Sequence, residues 1–437
     1  MMGSVKVGIV GLGTIGTGVL KGLLNNAELI SRRTGVKLEL GGVCEIDADI
    51  RKGLDHGICP LITDDYEELL VNEDIQIIVE LIGGVDTARK VILGAFKNGK
   101  HVVTANKALL SESWHEIFEA ARAENKMLNF EASAGGAIPV VRALRDSFVA
   151  DRIDTIYGIL NGTTNFVLTE MTKKGCSFSE ALKTAQEKGY AEKDPTLDIS
   201  GRDSAQKLAI LSLLAFGKYA PQEDIYTEGI SGISAQDLDN AEELGYAIKL
   251  LAIAKSTRGG LELRVHPTLL PSEHILSEVN GADNAVFIKG DLMEESLLYG
   301  KGAGQDPTAS AVIADIAEIA RKTEYGGADH FDSSGISGED DGPKVKPMEE
   351  VEAPFYLRFT VTDRPGVLAS IANILSKNNI SIASVSQEQR NIGAEVPVVI
   401  LTHRAQEGGM RKAMREIDAQ DYVTSDTVMI HMEEKDI

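Results

Sequence analysis

Val5 to Val10 is a short apolar run ending in Gly11-Leu12-Gly13-Thr14-Ile15-Gly16, after which apolar residues recur at helical spacing through Leu24. The pattern predicts a strand, a glycine-rich turn and a helix. A second strand is expected over Lys37 to Val43, ending in Cys44-Glu45-Ile46-Asp47. A third covers Ile75 to Ile82, a nearly continuous apolar run of the kind a strand buried on both faces shows. Val102 to Thr104 and Met127 to Phe130 continue the series with helical patterns between them. Strands alternating with helices at this spacing imply an α/β fold, a doubly wound sheet over residues 1–130. Ser113 with Glu116, and Ser177 with Glu180, have capping-box spacing and predict helix starts.

From residue 131 to 304 the pattern is mixed. Strands are expected at Ile153 to Leu160, Leu261 to Val265 and Ala285 to Ile288, among helices such as Arg202 to Phe216. This reads as an α+β second domain. Thr308 to Arg321 is an amphipathic helix placed to pack back on the first domain, so that residues 305–325 complete it. Residues 326–354 are rich in Gly, Ser, Asp and Glu with little periodicity and read as an acidic linker, free to swing or to order on ligand binding. Beyond it, residues 355–437 alternate as β-α-β-β-α-β: Phe355 to Thr362, Val367 to Lys377, Ile380 to Gln389, Val396 to Thr402, Gly408 to Ile417 and Tyr422 to His431. That is a ferredoxin-like order. No fixed-period repeat suggests a solenoid.

A chain of 437 residues with 43% hydrophobic and 25% charged residues has the composition of a folded, multi-domain protein. Its formal charge of −22 opposes binding to nucleic acid or anionic lipid through the surface as a whole. An anionic cofactor is still admitted, because a helix N-terminus and a few backbone amides act locally. The three cysteines, Cys44, Cys59 and Cys176, match neither a disulfide framework nor zinc-ligand spacing and fit a reducing compartment. No basic leader and no apolar run of membrane-spanning length occurs, so a cytoplasmic location is expected.

Gly11, Gly13 and Gly16, directly after a strand and before a helix, permit a tight turn, close approach of the backbone to a pyrophosphate, and close packing of helix on strand. This is the fingerprint of a Rossmann-type dinucleotide site. Glu45 and Asp47, at the end of the second strand, suit a ribose 2′-hydroxyl and point to NAD, whereas Arg51 suits a 2′-phosphate and points to NADP; both remain open. Val102-Val103-Thr104-Ala105-Asn106-Lys107 runs from strand into a polar turn at the sheet end where ligands of open α/β folds bind, making Lys107 a site candidate beside the alternative of a solvated surface lysine. Asp203 and Lys207, four residues apart, project from one face of a helix whose continuation is apolar, and Glu192, Asp194, Pro195 and Asp198 precede them in a polar loop. The plain alternative is an intrahelical ion pair. Gly158 to Asn165 and Gly300 to Gln305 combine permissive glycines with polar side chains and suit either a ligand cleft or tight turns.

Taken in succession, Val102 to Leu109, Gly158 to Asn165, Gly189-Tyr190-Ala191-Glu192 with Asp194-Pro195, and Gly302-Ala303-Gly304-Gln305 resemble homoserine dehydrogenases over about residues 4 to 325. The resemblance implies interconversion of homoserine and aspartate semialdehyde with NAD or NADP, in threonine, methionine and isoleucine biosynthesis. It places Lys107 and Lys207 beside the reacting carbon, with Lys207 the proton donor and acceptor, and Glu192, Asp203 and Asp198 on the substrate. A second lysine nearby would favour a lowered pKa in one of the two. Cofactor contacts are expected from Gly11, Gly13, Thr14, Ile15, Gly16, Glu45, Thr104, Ala105, Lys107 and Gly304.

Glu131-Ala132-Ser133-Ala134-Gly135-Gly136-Ala137-Ile138-Pro139 resembles that family's monovalent-cation loop. Glu131, Ala134, Gly136 and Ile138 are the implied ligands of a sodium-like structural ion, one carboxylate plus backbone carbonyls; the order of small residues departs from the family's commoner pattern. Thr362-Asp363-Arg364-Pro365-Gly366-Val367-Leu368 resembles the opening of an ACT domain, which implies a small amino-acid effector, threonine by analogy with the pathway, or a purely oligomerising role. A dimer or tetramer is implied by the resemblance alone. Two other readings compete: a dehydrogenase for another small amino-acid aldehyde, and a sensor that kept both folds without chemistry, against which the lysines stand.

Overall fold

The computed structural model describes residues 3–54, 61–326, 342–387 and 394–434. Cys59, part of the acidic stretch expected as a linker, and the end of the strand expected to run to Gln389 lie outside them. Two compact units are present, one comprising residues 1–153, 206–223 and 284–343, the other residues 154–205, 224–283 and 344–437.

The first unit opens with a six-stranded parallel sheet of β1 (Ser4–Val10), β2 (Lys37–Cys44), β3 (Ile62–Thr63), β4 (Ile77–Glu80), β5 (His101–Thr104) and β6 (Leu128–Asn129), in the order β3-β2-β1-β4-β5-β6. This is the doubly wound order, with its reversal between β1 and β4. Every residue of β4 and β5 is buried, as the unbroken apolar runs require of strands covered on both faces. The Gln305–Glu324 helix, longer at both ends than its periodicity indicated, packs Ala309, Val312, Ile316 and Ile319 into the same core as Val7, Ile9 and Val79. The expectation that it returns to the first sheet is met.

The two capping-box expectations divide. Ser177 caps the Phe178–Glu187 helix reciprocally with Glu180, its hydroxyl accepting from the Glu180 N–H and the Glu180 carboxylate accepting from the Ser177 N–H. Ser177→Ala is expected to lower stability by about 1 kcal/mol, read as a shifted urea midpoint at unchanged slope; no shift would mean that packing alone holds this helix. Ser113 stands at the junction of two helical stretches that meet across a kink. The helix there runs Lys107–Ala123, begins at the Asn106 cap, and kinks at Ser113, whose φ of −128° and ψ of 28° are non-helical. The local signal marks this break. Trp114, one residue on, is buried against Phe118 and Phe130 at ring distances of 5.2 and 5.3 Å.

In the second unit β7 (Ile153–Ile159), β8 (Tyr226–Thr227), β9 (Tyr246–Thr257) and β10 (Gly260–Pro271) come first along the chain, with β9 and β10 paired antiparallel over their full length. The chain then gives the first unit two neighbouring strands, β11 (Asp283–Gly290) and β12 (Glu294–Lys301). It returns to the second as β13 (Glu352–Ala353), β14 (Phe355–Thr362), β15 (Ile382–Ser386), β16 (Glu395–Thr402), β17 (Ala405–Gln406) and β18 (Val423–Met432). The C-terminal strands lie in the ferredoxin-like order β18-β14-β16-β15. Their inner face, Phe355, Leu357, Phe359, Val396, Val398 and Ile400, packs on the Val367–Lys377 and Glu407–Asp418 helices.

This C-terminal sheet does not end at β18. Thr268 and Leu269 of β10 pair in parallel with His431 and Met432 of β18, so one sheet runs β7-β9-β10-β18-β14-β16-β15. The later part of the stretch expected as a linker is also ordered: Lys344 and Lys346 exchange backbone hydrogen bonds with Leu261, and Glu352–Ala353 pairs with Ala405–Gln406. Among the described residues no helix is long and apolar enough to cross a membrane.

Candidate active site

The glycine turn divides its work among its three glycines. Gly11 takes a φ of +96°, and a Cβ there would sit 2.8 Å from the Leu81 carbonyl group. At Gly16 a Cβ would lie 2.0 Å from the Gly11 carbonyl oxygen, so only glycine lets the helix start this close to the strand. Gly13 faces open space with nothing within 4 Å, which leaves the backbone free for close approach of a ligand. The Thr14–Asn25 helix that follows has no side-chain cap and no acidic residue in its first turn. Its first N–H groups therefore offer an electropositive cradle for a pyrophosphate. Thr14 is exposed, Ile15 half-buried against the core, and Gly304, at φ +120°, precedes the Gln305 side chain that donates to the Thr14 carbonyl.

Glu45 is buried, and its carboxylate accepts from the Leu12 N–H at 2.6 Å and from the Asp47 N–H at 3.0 Å. It clamps the glycine turn to the end of β2, while Asp47 caps the short helix at Ala48. A carboxylate that sequence reading missed does the same at the next strand. Glu80, fully buried at the end of β4, accepts from the Thr104 hydroxyl at 2.6 Å and from the Ile82 and Gly83 N–H groups. Burial raises its pKa against these donors, which pull it down. Thr104 in turn accepts from the Asn106 N–H, and Asn106 donates to the Gly84 carbonyl while capping the helix that Lys107 begins. Lys107 is half-buried and Ala105 packs partly against the core. The one sequence signal for Glu80 was a lone acid closing an apolar strand.

In the second unit Asn161 is the hub. It follows β7, caps the Gly162–Lys174 helix, and donates through its amide to Asp198 at 2.7 Å and to Asp203 at 2.8 Å. Thr163 donates to the Tyr190 carbonyl and lies 3.0 Å from the other Asp198 oxygen. Asp198, half-buried, and Asp203, buried, are thus drawn together. Glu192 is exposed, its carbonyl accepting from Gln186. The Arg202–Phe216 helix, matching its expected bounds, carries both Asp203 and Lys207, each buried.

The loop expected to hold a cation differs in one respect from expectation. The Glu131 carboxylate accepts from the Val141 and Arg142 N–H groups at 3.0 and 2.8 Å, so it caps the following helical turn. Burial raises its pKa. Its own N–H donates to Asp315, a carboxylate that burial and then Glu131 push up to about 8. Ala134 and Ile138 are buried, and Gly136, at φ +59°, would place a Cβ 2.5 Å from the Gly302 carbonyl group. Of the loop's backbone carbonyls, that of Gly135 accepts from the Ile138 N–H and that of Ile138 from the Val140 N–H. Among the described residues no group of three or more His, Cys, Asp or Glu is arranged to hold a metal.

A glycine turn of this geometry on the first strand of a β3-β2-β1-β4-β5-β6 sheet, in a chain whose second unit buries Asp203 at a helix start and ends in a ferredoxin-like sheet, defines an NAD(P)-dependent oxidoreductase with a C-terminal ACT domain. The family model of the homoserine dehydrogenase NAD-binding domain matches residues 11–131, that of homoserine dehydrogenase residues 139–317, and that of the ACT domain residues 355–420. The chain is 43% identical to homoserine dehydrogenase of Neisseria gonorrhoeae, covering 99% of each. To that of Pseudomonas aeruginosa it is 43% identical, covering 99% of this chain and all of the other. The crystal structure of a homoserine dehydrogenase from Thiobacillus denitrificans superimposes with a TM-score of 0.92 at 42% identity, over 99% of this chain and 100% of that one. A hyperthermophilic archaeal homoserine dehydrogenase in complex with NADPH matches at 0.61 and 26% identity, over 72% of this chain and 97% of its own. The chain belongs to the homoserine dehydrogenase family.

Proposed function

We propose that the protein interconverts L-homoserine and L-aspartate 4-semialdehyde in the cytoplasm, and that threonine, product of the pathway it serves, regulates it through the ACT domain. The observation that carries the substrate reading is that one asparagine holds two acids together, half-buried Asp198 and buried Asp203, the latter at the head of the helix that bears Lys207. Buried carboxylates with few apolar alternatives suit the ammonium and hydroxyl of a small amino alcohol. Glu192 completes the substrate set.

When bound, NAD or NADP accepts hydride from the carbinol carbon of homoserine. Lys207 takes the hydroxyl proton as the aldehyde forms and returns it to the developing alkoxide in reduction, with Lys107 stabilising the oxygen. Gly11, Gly13, Thr14, Ile15 and Gly16 hold the pyrophosphate. Thr104, Ala105, Lys107 and Gly304 would hold the remainder of the cofactor, and Glu45, which fixes the turn, would hold the ribose. A sodium-like structural ion would be held by the Glu131 carboxylate together with the backbone carbonyls of Ala134, Gly136 and Ile138. The effector carboxylate meets the uncapped helix start at Gly366, which has a φ of +97°.

The test is the rise of reduced-nicotinamide absorbance with purified protein and homoserine, run separately with NAD and NADP and with threonine titrated in. Homoserine-dependent reduction with one or both cofactors is expected. None with either cofactor overturns the substrate reading and brings forward another amino-acid aldehyde.

A further inference from the structure

The C-terminal end of β18 carries a carboxylate into the interior of the second unit. Glu433, 5% exposed, accepts from the Lys255 ammonium at 2.6 Å and the Tyr157 hydroxyl at 2.9 Å through one oxygen, and from the Arg264 guanidinium at 3.2 Å through the other. Its N–H donates to the Leu269 carbonyl, which fixes the register of β18 on β10. Lys255 also lies over the Tyr157 ring, 4.9 Å from its centroid. Burial alone would push Glu433 up, but Lys255 and Arg264 outweigh it and hold it at about 2, so the group is an anion throughout the working range. A buried ion cluster is a weak source of stability but a strict geometric constraint, because each partner left alone would be a buried charge.

One of the three partners leads to the acids. Tyr157 is fully buried on β7, in register with Ile253 of β9; β7 ends at Ile159, two residues before Asn161, whose backbone is itself extended at φ −128° and ψ 116°. Asn161, four residues on, is the residue that holds both Asp198 and Asp203. Extended backbone has little slack, so where Tyr157 sits along the sheet decides where the Asn161 amide points.

We propose that Glu433 is a positioning residue through which the C-terminal domain sets the geometry of the substrate acids, acting on Tyr157, β7 and Asn161. This rests on the reading in which Asp198 and Asp203 hold the substrate. It gives the C-terminal domain a covalent-free but direct path to the site: a shift of β18 along β10 moves Glu433, and with it the end of β7.

The test compares Glu433→Gln and Tyr157→Phe with wild type and with Asp203→Asn, measuring kcat, KM for homoserine, KM for the cofactor and the unfolding temperature. Tyr157→Phe keeps both ion pairs and removes the hydroxyl that joins β7 to Glu433. Both variants are expected to raise KM for homoserine by about three- to tenfold while KM for the cofactor stays at the wild-type value. A lowered unfolding temperature with unchanged homoserine KM in both would reduce Glu433 to a structural ion pair and overturn the proposal. If Glu433→Gln does not fold, Tyr157→Phe decides alone. Asp203→Asn separates the two readings: a raised homoserine KM there with none in Tyr157→Phe sinks this proposal only, whereas no change in Asp203→Asn removes the substrate reading and this proposal with it.

Discussion

Lys207→Ala is expected to lower kcat for homoserine oxidation by about 10²- to 10⁴-fold, the usual worth of a positioned general acid and base. Hydride cannot leave the carbinol carbon without the hydroxyl proton going somewhere, and in a site closed to water the nearest protein group must accept it. Lys207 sits one helical turn after Asp203, buried in a helix that continues into the core through Leu208, Leu211 and Leu213. Because the proton moves only in the transition state, kcat and kcat/KM are expected to fall together while KM for the cofactor is unaffected. Asp203→Asn is expected to act mainly on KM for homoserine. A Lys207→Ala enzyme with wild-type kcat and a raised homoserine KM would make Lys207 a binding residue and leave the proton to another group. Alanine is a strong helix former, so the helix itself is not endangered by the change.

How much of this was legible in the chain follows from the range over which each feature is determined. The glycine turn, the buried strands β4 and β5, the Arg202–Phe216 helix and the C-terminal β-α-β-β-α-β are set by local spacing, and the structure places them within a few residues of expectation. β9 escaped notice altogether. Tyr-Ala-Ile-Lys-Leu-Leu-Ala-Ile-Ala-Lys is rich in good helix formers, and only its continuous antiparallel pairing with β10 makes it a strand. β10 was expected only over Leu261 to Val265 and continues through His266-Pro267; Pro267 is tolerated because the parallel neighbours on that side pair at Arg264–Val265 and at Thr268–Leu269, leaving its missing N–H in the gap.

The same distinction governs the site. Asp203 and Lys207 announce themselves by helical spacing, whereas Glu80, Asn161 and Glu433 gain their meaning from partners 24 to 276 residues away. Glu45 was found, but as a ribose ligand; its bond to the Leu12 N–H, across 33 residues, makes it first a clamp on the turn.

Acidification from about pH 7.5 to pH 4.5 is expected to cost the fold about 2–3 kcal/mol through His101 alone. Its Nδ1 accepts the Met127 N–H at 3.0 Å beside β5, a bond only the neutral ring can make, and burial lowers its pKa from 6.5 to about 4, with Lys126 adding to the effect. A depressed histidine binds fewer protons folded than unfolded. Its contribution is therefore neutral above pH 6.5, and stability is lost as the pH falls from there toward 4. His266 and His431, stacked at 3.9 Å and fully buried, act in the same direction: burial lowers both, and Arg264 opposes protonation of each, with Arg411 adding to the repulsion at His431 and Glu433 the one group pulling both up. Asp315 works against them, since a carboxylate raised to about 8 binds more protons folded and gains stability as the pH falls. The difference between His101→Asn and wild type isolates the imidazole: the variant keeps an acceptor for the Met127 N–H and loses the titration. Its urea unfolding free energy is expected to fall less than that of wild type over this interval, by about 2–3 kcal/mol. Parallel curves for the two proteins would mean that the ring is free to protonate where it stands, and that the acid limit of this fold lies with the paired histidines of the second unit.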